Sequence, residues 1–139
     1  MESNLKRGFT VMELLIVIAI IGLIATIVMV GQRNAQEKRR DLRRVTDVKA
    51  LQDSLALYLA KVGAYPVYTG CINGTDLVTV GLRVQGMIGS ADSLVDPLNP
   101  DDTASCYYYT GAGGSQFNLR YTLEQTSAAG EVGDHVVVP

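Results

Sequence analysis

The sequence predicts an α+β protein: one long N-terminal α-helix packed on a small antiparallel β-sheet. Three observations lead there. No proline occurs between Phe9 and Tyr65. Within that stretch a continuous apolar run, Leu14 to Val30, gives way to apolar residues at three- and four-residue spacing. Late in the chain, Phe117, Leu119, Tyr121 and Leu123 alternate with Asn118, Arg120, Thr122 and Glu124, the period-two pattern of a half-buried strand.

The elements follow in order. The stretch from Phe9 to Val30 has the roughly 20 apolar residues that a helix needs to span a bilayer. Beyond it Leu42, Val45, Val48, Leu51, Leu55, Tyr58, Leu59 and Val62 mark one face of an amphipathic helix. Gly63 is placed to cap its C-terminus, and Pro66 stands just beyond. The predicted helix is therefore continuous, greasy all round in its first half and one-faced in its second. Tyr68 to Thr75 is rich in turn formers and reads as loop. Leu77 to Ile88 fits either a strand or a short helix, and Gly81 weakens both. Asp96 to Asp102 reads as loop, Cys106 to Thr110 as a strand, Gly111 to Ser115 as a turn and Phe117 to Glu124 as a second strand. His135 to Val138 supplies a third, antiparallel strand.

With 139 residues there is room for one domain. Charge is unevenly distributed along it. From Arg33 to Lys61 there are eight basic and four acidic residues; from Val62 to Pro139 there are two basic and eight acidic. A basic stalk thus carries an acidic head. The two cysteines, Cys71 and Cys106, both lie in the head; they suit one disulfide in an oxidising compartment, the alternative being two buried thiols.

Ahead of the apolar run stands Met1-Glu2-Ser3-Asn4-Leu5-Lys6-Arg7-Gly8, then Phe9-Thr10-Val11-Met12-Glu13. Secretory signals place a small-residue cleavage site after their apolar part. Here the small residue, Gly8, comes before it, so cutting after Gly8 retains the hydrophobic segment and exposes Phe9. This arrangement resembles the leader of type IV prepilins and of the pseudopilins of type II secretion. The resemblance implies a pilin fold: a leader at residues 1–8 and a single domain at 9–139, with a membrane or filament-core helix at 9–30, its amphipathic continuation at 31–63 and a globular head at 64–139. It also implies cleavage between Gly8 and Phe9 by prepilin peptidase and N-methylation of Phe9.

Glu13 is a carboxylate inside an apolar segment, where ionised groups are costly and mark function. Under the resemblance its partner is the new Phe9 amine, on its own or a neighbouring subunit, and the pair acts as a register pin during assembly. The implied partners are further copies in a helical filament, prepilin peptidase, a membrane platform protein of the assembly machinery, and the lipid bilayer before assembly; no small-molecule substrate is implied. Lys6 and Arg7 favour a cytoplasmic leader. Lys38, Arg39, Arg40, Arg43 and Arg44 on the other flank favour the reverse by charge alone; the leader resemblance and the cysteines place the head outside. Gly22 and Gly31 suit close approach of helices or local unwinding. Val30 stands where many members of that family carry a proline.

Other functional classes find little support. His135 is the single histidine, read as a surface residue, so there is no histidine-based catalytic pair. No nucleophile elbow and no phosphate-binding glycine loop with its lysine occur. An enzyme is not expected. Lys38 to Arg44, interleaved with Glu37, Asp41 and Asp47, reads as a solvated or ion-paired face. Tyr107 to Tyr109 reads as core through strand alternation. No resident cofactor is expected. Asp92, Asp96, Asp101 and Asp102 are the calcium candidates, because calcium prefers oxygen ligands and the resembling major pseudopilins bind it in a C-terminal loop; their spacing matches no EF-hand, and Asp-Pro and Asn-Pro are turn formers.

The function expected from these readings is a structural subunit of a type IV pilus-like surface filament serving adhesion, motility or DNA uptake. The first alternative is the major-type pseudopilin of a type II secretion system, in a periplasmic filament. The second is a membrane-anchored binding domain, which requires neither Gly8 nor Glu13.

Overall fold

The computed structural model describes residues 9–89, 94–98 and 101–139. Helix α1 runs unbroken over Val11–Val62, 52 residues, through both Gly22 and Gly31. It ends where the sequence predicts. Gly63 adopts φ 88°, a left-handed conformation that costs glycine little, and its N–H closes the last turn on the Leu59 carbonyl at 2.8 Å. The chain divides into two compact units, residues up to Gln36 and Glu37–Pro139.

In the first unit every described side chain from Phe9 to Met29 is exposed. This part of α1 is long and apolar enough to cross a membrane, with a mean hydropathy of 3.1 over its best window and none of that window buried.

In the second unit α1 is followed by strand β1 (Val67–Cys71), helix α2 (Leu77–Val84), and strands β2 (Tyr108–Ala112), β3 (Phe117–Leu123) and β4 (Gly133–Val137). The four strands form an antiparallel meander in the order β1-β2-β3-β4. In β3 the predicted alternation holds throughout: Phe117, Leu119, Tyr121 and Leu123 are buried, and the residues between them are not. Val48, Leu51 and Leu55 of α1 join them in the core with Tyr65, Ile72, Val78, Leu82, Tyr107 and Tyr109. Tyr107 and Tyr109 are fully buried, as expected. Tyr109 stacks on Phe117, with ring centroids 5.8 Å apart, and donates to the Pro66 carbonyl at 3.0 Å.

Four readings need correction, and the one left open is resolved. Tyr68 to Cys71 is a strand, not a loop: it pairs with β2 from Val67↔Ala112 to Cys71↔Tyr108. Glycine and threonine made the segment look like punctuation, but an edge strand needs only a partner offering its hydrogen bonds. Gly111 and Ala112 likewise belong to β2 rather than to the turn. Gly111 is there because Tyr109 lies over it; a Cβ would fall 2.2 Å from the Tyr109 hydroxyl and 2.7 Å from the Pro66 carbonyl. The ambiguous Leu77–Ile88 resolves into α2, capped by Asp76, whose carboxylate accepts from the Thr79 N–H at 2.9 Å. The apolar stripe of α1 is also shorter than predicted: Leu42 and Val62, its two ends, are exposed. His135 is not a simple surface residue either. It is half-buried, stacks on Tyr121 at 5.2 Å, and its Nε2 lies 2.8 Å from the Glu131 carbonyl.

Candidate functional site

The start of α1 carries the residues singled out for assembly. Phe9 precedes the helix and is 81% exposed. Gly8, the other side of the expected cut, lies outside the described residues, as does the leader. Thr10 is the N-cap and Glu13 the third helical residue. Their side chains are reciprocal: Thr10 N–H and Thr10 Oγ1 each donate to Glu13 Oε2 at 2.9 Å, and Glu13 N–H donates to Thr10 Oγ1 at 3.2 Å. This is a capping box, which satisfies donors that a helix start leaves free. Thr-x-x-Glu before an apolar run is the sequence signature of such a box, and it makes Thr10 a partner of Glu13 in addition to the expected Phe9 amine. The box holds Glu13 beside Thr10, one residue from the Phe9 nitrogen.

Beyond it, Gly22 and Gly31 have no atom within 4 Å of where a Cβ would stand. In this segment the apolar surface faces outward on every side. Such a surface leaves water when it is buried against lipid or against another apolar protein surface. The side chain of Val30 is outside the described set.

In the head, Cys71 and Cys106 form a disulfide that joins the end of β1 to the residue just before Tyr107 and β2. Both cysteines are buried. The calcium candidates do not assemble. Asp92 lies outside the described residues. Asp96 is buried against Arg44, Asp101 accepts from the Asn73 side chain at 3.1 Å, and Asp102 accepts from Ala104 N–H and Ser105 Oγ within its own turn. Among the described residues no three histidine, cysteine or carboxylate side chains converge as a metal site requires.

Of the basic run on α1, expected as a solvated or ion-paired face, Arg40, Arg43 and Arg44 are ion-paired, and Arg44 is buried. Asp41 and Arg44 are 0% and 2% exposed. They extend the stripe of Val48, Leu51 and Leu55 by helical spacing, so charged residues continue the buried side of α1. That spacing was the available signal. Asp41 accepts the N–H groups of Glu124 and Gln125 at 3.0 Å each, and Glu37 contacts the Gln125 side chain. Arg40 makes a two-pronged contact with Glu124.

The electrostatics follow from these contacts. The Arg40 hydrogen bonds hold the Glu124 carboxyl below the usual carboxylate range, with Arg44 adding to the effect against partial burial. Burial pushes the Asp47 carboxyl up, although Arg43 and the Tyr107 hydroxyl, which donates to it at 3.2 Å, act against that. Burial also raises Tyr107, and Asp47 raises it further. A depressed folded pKa contributes stability above the unfolded value and loses it as pH falls through the folded value. Glu124 therefore stabilises the fold at neutral pH and stops doing so in acid, while Asp47 works in the opposite sense. Thermal melts of the full chain in detergent from pH 7 to pH 3 should show a midpoint that falls steeply below about pH 4. In Glu124→Gln the neutral midpoint should be lower and the acid decline shallower. Parallel acid limbs in the two proteins would show that Glu124 is not the group responsible.

Comparison with known proteins bears on the N-terminal segment first. Residues 3–29 match the family described as the prokaryotic N-terminal methylation motif. Among curated proteins the chain is similar to type II secretion system core protein G of Aeromonas hydrophila, 32% identical over 66 residues, covering 48% of this chain and 46% of that one. It is 36% identical over 64 residues to the protein of the same name from Escherichia coli K12, covering 46% and 44%, and 34% identical over 61 residues to that of Dickeya chrysanthemi, covering 44% and 40%. The matches thus span less than half the length of these relatives. No solved structure matches the chain significantly.

Proposed function

We propose that this chain, which carries the processing motif and the helix-on-sheet fold of the type IV pilin and type II secretion pseudopilin family, is a structural subunit of a secretion-type pseudopilus. One observation carries the filament reading. An apolar helix exposed on all sides opens on the methylation motif and on a carboxylate. Such a surface needs lipid before assembly and copies of itself afterwards. The choice of pseudopilus over surface pilus reverses the expectation drawn from the sequence. It is supported by the relatives, which are named as secretion proteins.

In this reading prepilin peptidase removes residues 1–8 and Phe9 becomes the methylated N-terminus. The apolar half of α1 first holds the subunit in the inner membrane with the head on the extracytoplasmic side. It then packs against its copies as a platform protein lifts subunits from the bilayer. Glu13 pairs with a Phe9 amine and sets the register of each addition. The role is structural, with no chemistry performed on a substrate.

The test is deletion of the chain in its source organism. The expected result is that secreted proteins accumulate in the periplasm, with surface appendages unchanged, and that the native protein has the intact mass of a chain starting at Phe9 with one added methyl group. Loss of surface appendages with normal secretion would restore the pilus reading. A native mass retaining Met1 to Gly8 in assembled material would remove both and leave a membrane-anchored domain.

A further inference from the structure

Three cations of α1 are taken up by carboxylates. Arg44 is held by Asp41, Asp96 and Glu124, Arg40 by Glu124, and Arg43 pairs with Asp47. Three more, nearer the apolar segment, stand apart. Arg33, Lys38 and Arg39 are exposed and make no ion pair among the described residues. The one carboxylate between residues 31 and 39 is Glu37, and it contacts the Gln125 side chain. The stretch therefore presents a net positive charge that the protein itself does not balance.

Position and spacing point to what balances it. The three follow Val30, the end of the apolar run, by three, eight and nine residues, and α1 continues through all of them. At about 1.5 Å per residue their Cα atoms stand roughly 5 to 14 Å along the helix from that end. The headgroup layer of a bilayer is about 5 to 8 Å deep. Long lysine and arginine stems reach back to place their charges within it. The three are also spread around the helix: at about 100° per residue they are separated by roughly 140°, 100° and 120°. A docked protein surface touches one side of a helix. A headgroup layer surrounds it, and phosphate oxygens accept from guanidinium and ammonium alike. Cations on this flank work against the orientation proposed above, in which the leader stays cytoplasmic. Anionic headgroups in the facing leaflet offset that disadvantage.

We propose that Arg33, Lys38 and Arg39 form a cationic collar that binds the phosphates of anionic phospholipids at the membrane surface while the subunit awaits assembly. Leaving the bilayer then requires release of these contacts as well as withdrawal of the apolar helix. Arg40 and Arg44 take no part, because their hydrogen bonds are engaged with carboxylates of the chain. The inference rests on the membrane stage of the proposed function and not on the choice between pilus and pseudopilus.

The experiment places the full chain in vesicles of mixed phosphatidylcholine and phosphatidylglycerol and adds a spin-labelled form of one lipid or the other. Electron paramagnetic resonance reads the share of each label immobilised against protein. Immobilised phosphatidylcholine label reports that the apolar helix is in the bilayer; its absence would remove the membrane reading and this inference with it. The ratio of immobilised phosphatidylglycerol to phosphatidylcholine tests the collar. It should be at least about threefold for the unmutated chain and fall towards one in molar salt, where the screening length shrinks to about 3 Å. Arg33→Gln/Lys38→Gln/Arg39→Gln should lose most of that preference with the phosphatidylcholine signal and the thermal midpoint unchanged, since all three side chains are exposed. Lys6→Gln/Arg7→Gln, on the leader side, should keep most of it. An unmutated chain with no preference would assign the cations to solvent or to an acidic protein surface and overturn the collar. A triple variant that keeps the preference, or a leader variant that loses it, would overturn it equally.

Discussion

Glu13→Gln protein should be made, inserted and cut after Gly8, yet enter filaments roughly 100-fold less than the unmutated chain. The estimate takes an uncompensated charge in an apolar setting as costing several kcal/mol, with each 1.4 kcal/mol worth a factor of ten. The capping box sharpens the test. Glutamine at the third helical position also accepts from the N-cap residue, so Glu13→Gln keeps the Thr10 contacts and the helix start while deleting only the charge. Thr10→Val does the reverse: it removes the two bonds of Thr10 Oγ1 at a cost of about 1 kcal/mol, keeps the backbone N–H on Glu13 and leaves the carboxylate charge in place. It should lower filament entry only modestly. The measurement is a blot of sheared filaments and membranes from cells expressing each variant, or of copies cross-linked in the membrane if the filament stays periplasmic. Normal assembly of Glu13→Gln would end the register-pin mechanism. A plain membrane anchor would tolerate the change or insert better, since a charge has left the bilayer.

Removing the disulfide is expected to have the second-largest effect, a loss of about 3–4 kcal/mol in the chain-entropy account of cross-links. Cys71 and Cys106 are 35 residues apart, and the segment they enclose contains α2 and Asp96. Cutting the link frees that whole segment in the unfolded chain. In the folded head it also weakens the hold on the loop that delivers Asp96 to Arg44. The Cys71→Ser/Cys106→Ser double variant and Asp96→Asn should therefore be non-additive, since both release the same loop. Urea unfolding of the head in the oxidised and reduced chain, with thiol alkylation counted by mass, gives the comparison. Equal midpoints in the two states would refute the stabilising role.

The two experiments probe the two halves of the molecule separately. One concerns a segment that is unfinished in a single chain, because its apolar side chains have nothing to pack on. The other concerns a head whose core, disulfide and ion pairs are completed within one copy. The same division explains what was legible beforehand. The helix, its end at Gly63 and the alternation of the strand at Phe117 depend on neighbours close in sequence. Periodicity, glycine conformation and capping are local, so they can be read along the chain.

What sequence alone determined is the long helix with its two characters, the processing motif and the alternating central strand. Only the tertiary structure decided the rest. Tyr68 to Cys71 became a strand because β2 lay alongside to share its hydrogen bonds, and α2 formed because Asp76 caps it and Val78 and Leu82 found a core. Arg44 is buried because two of its three partners, Asp96 and Glu124, are brought to it from 52 and 80 residues away. The energy of a buried charge is set by whatever is brought to it from elsewhere in the chain, and no local pattern records that.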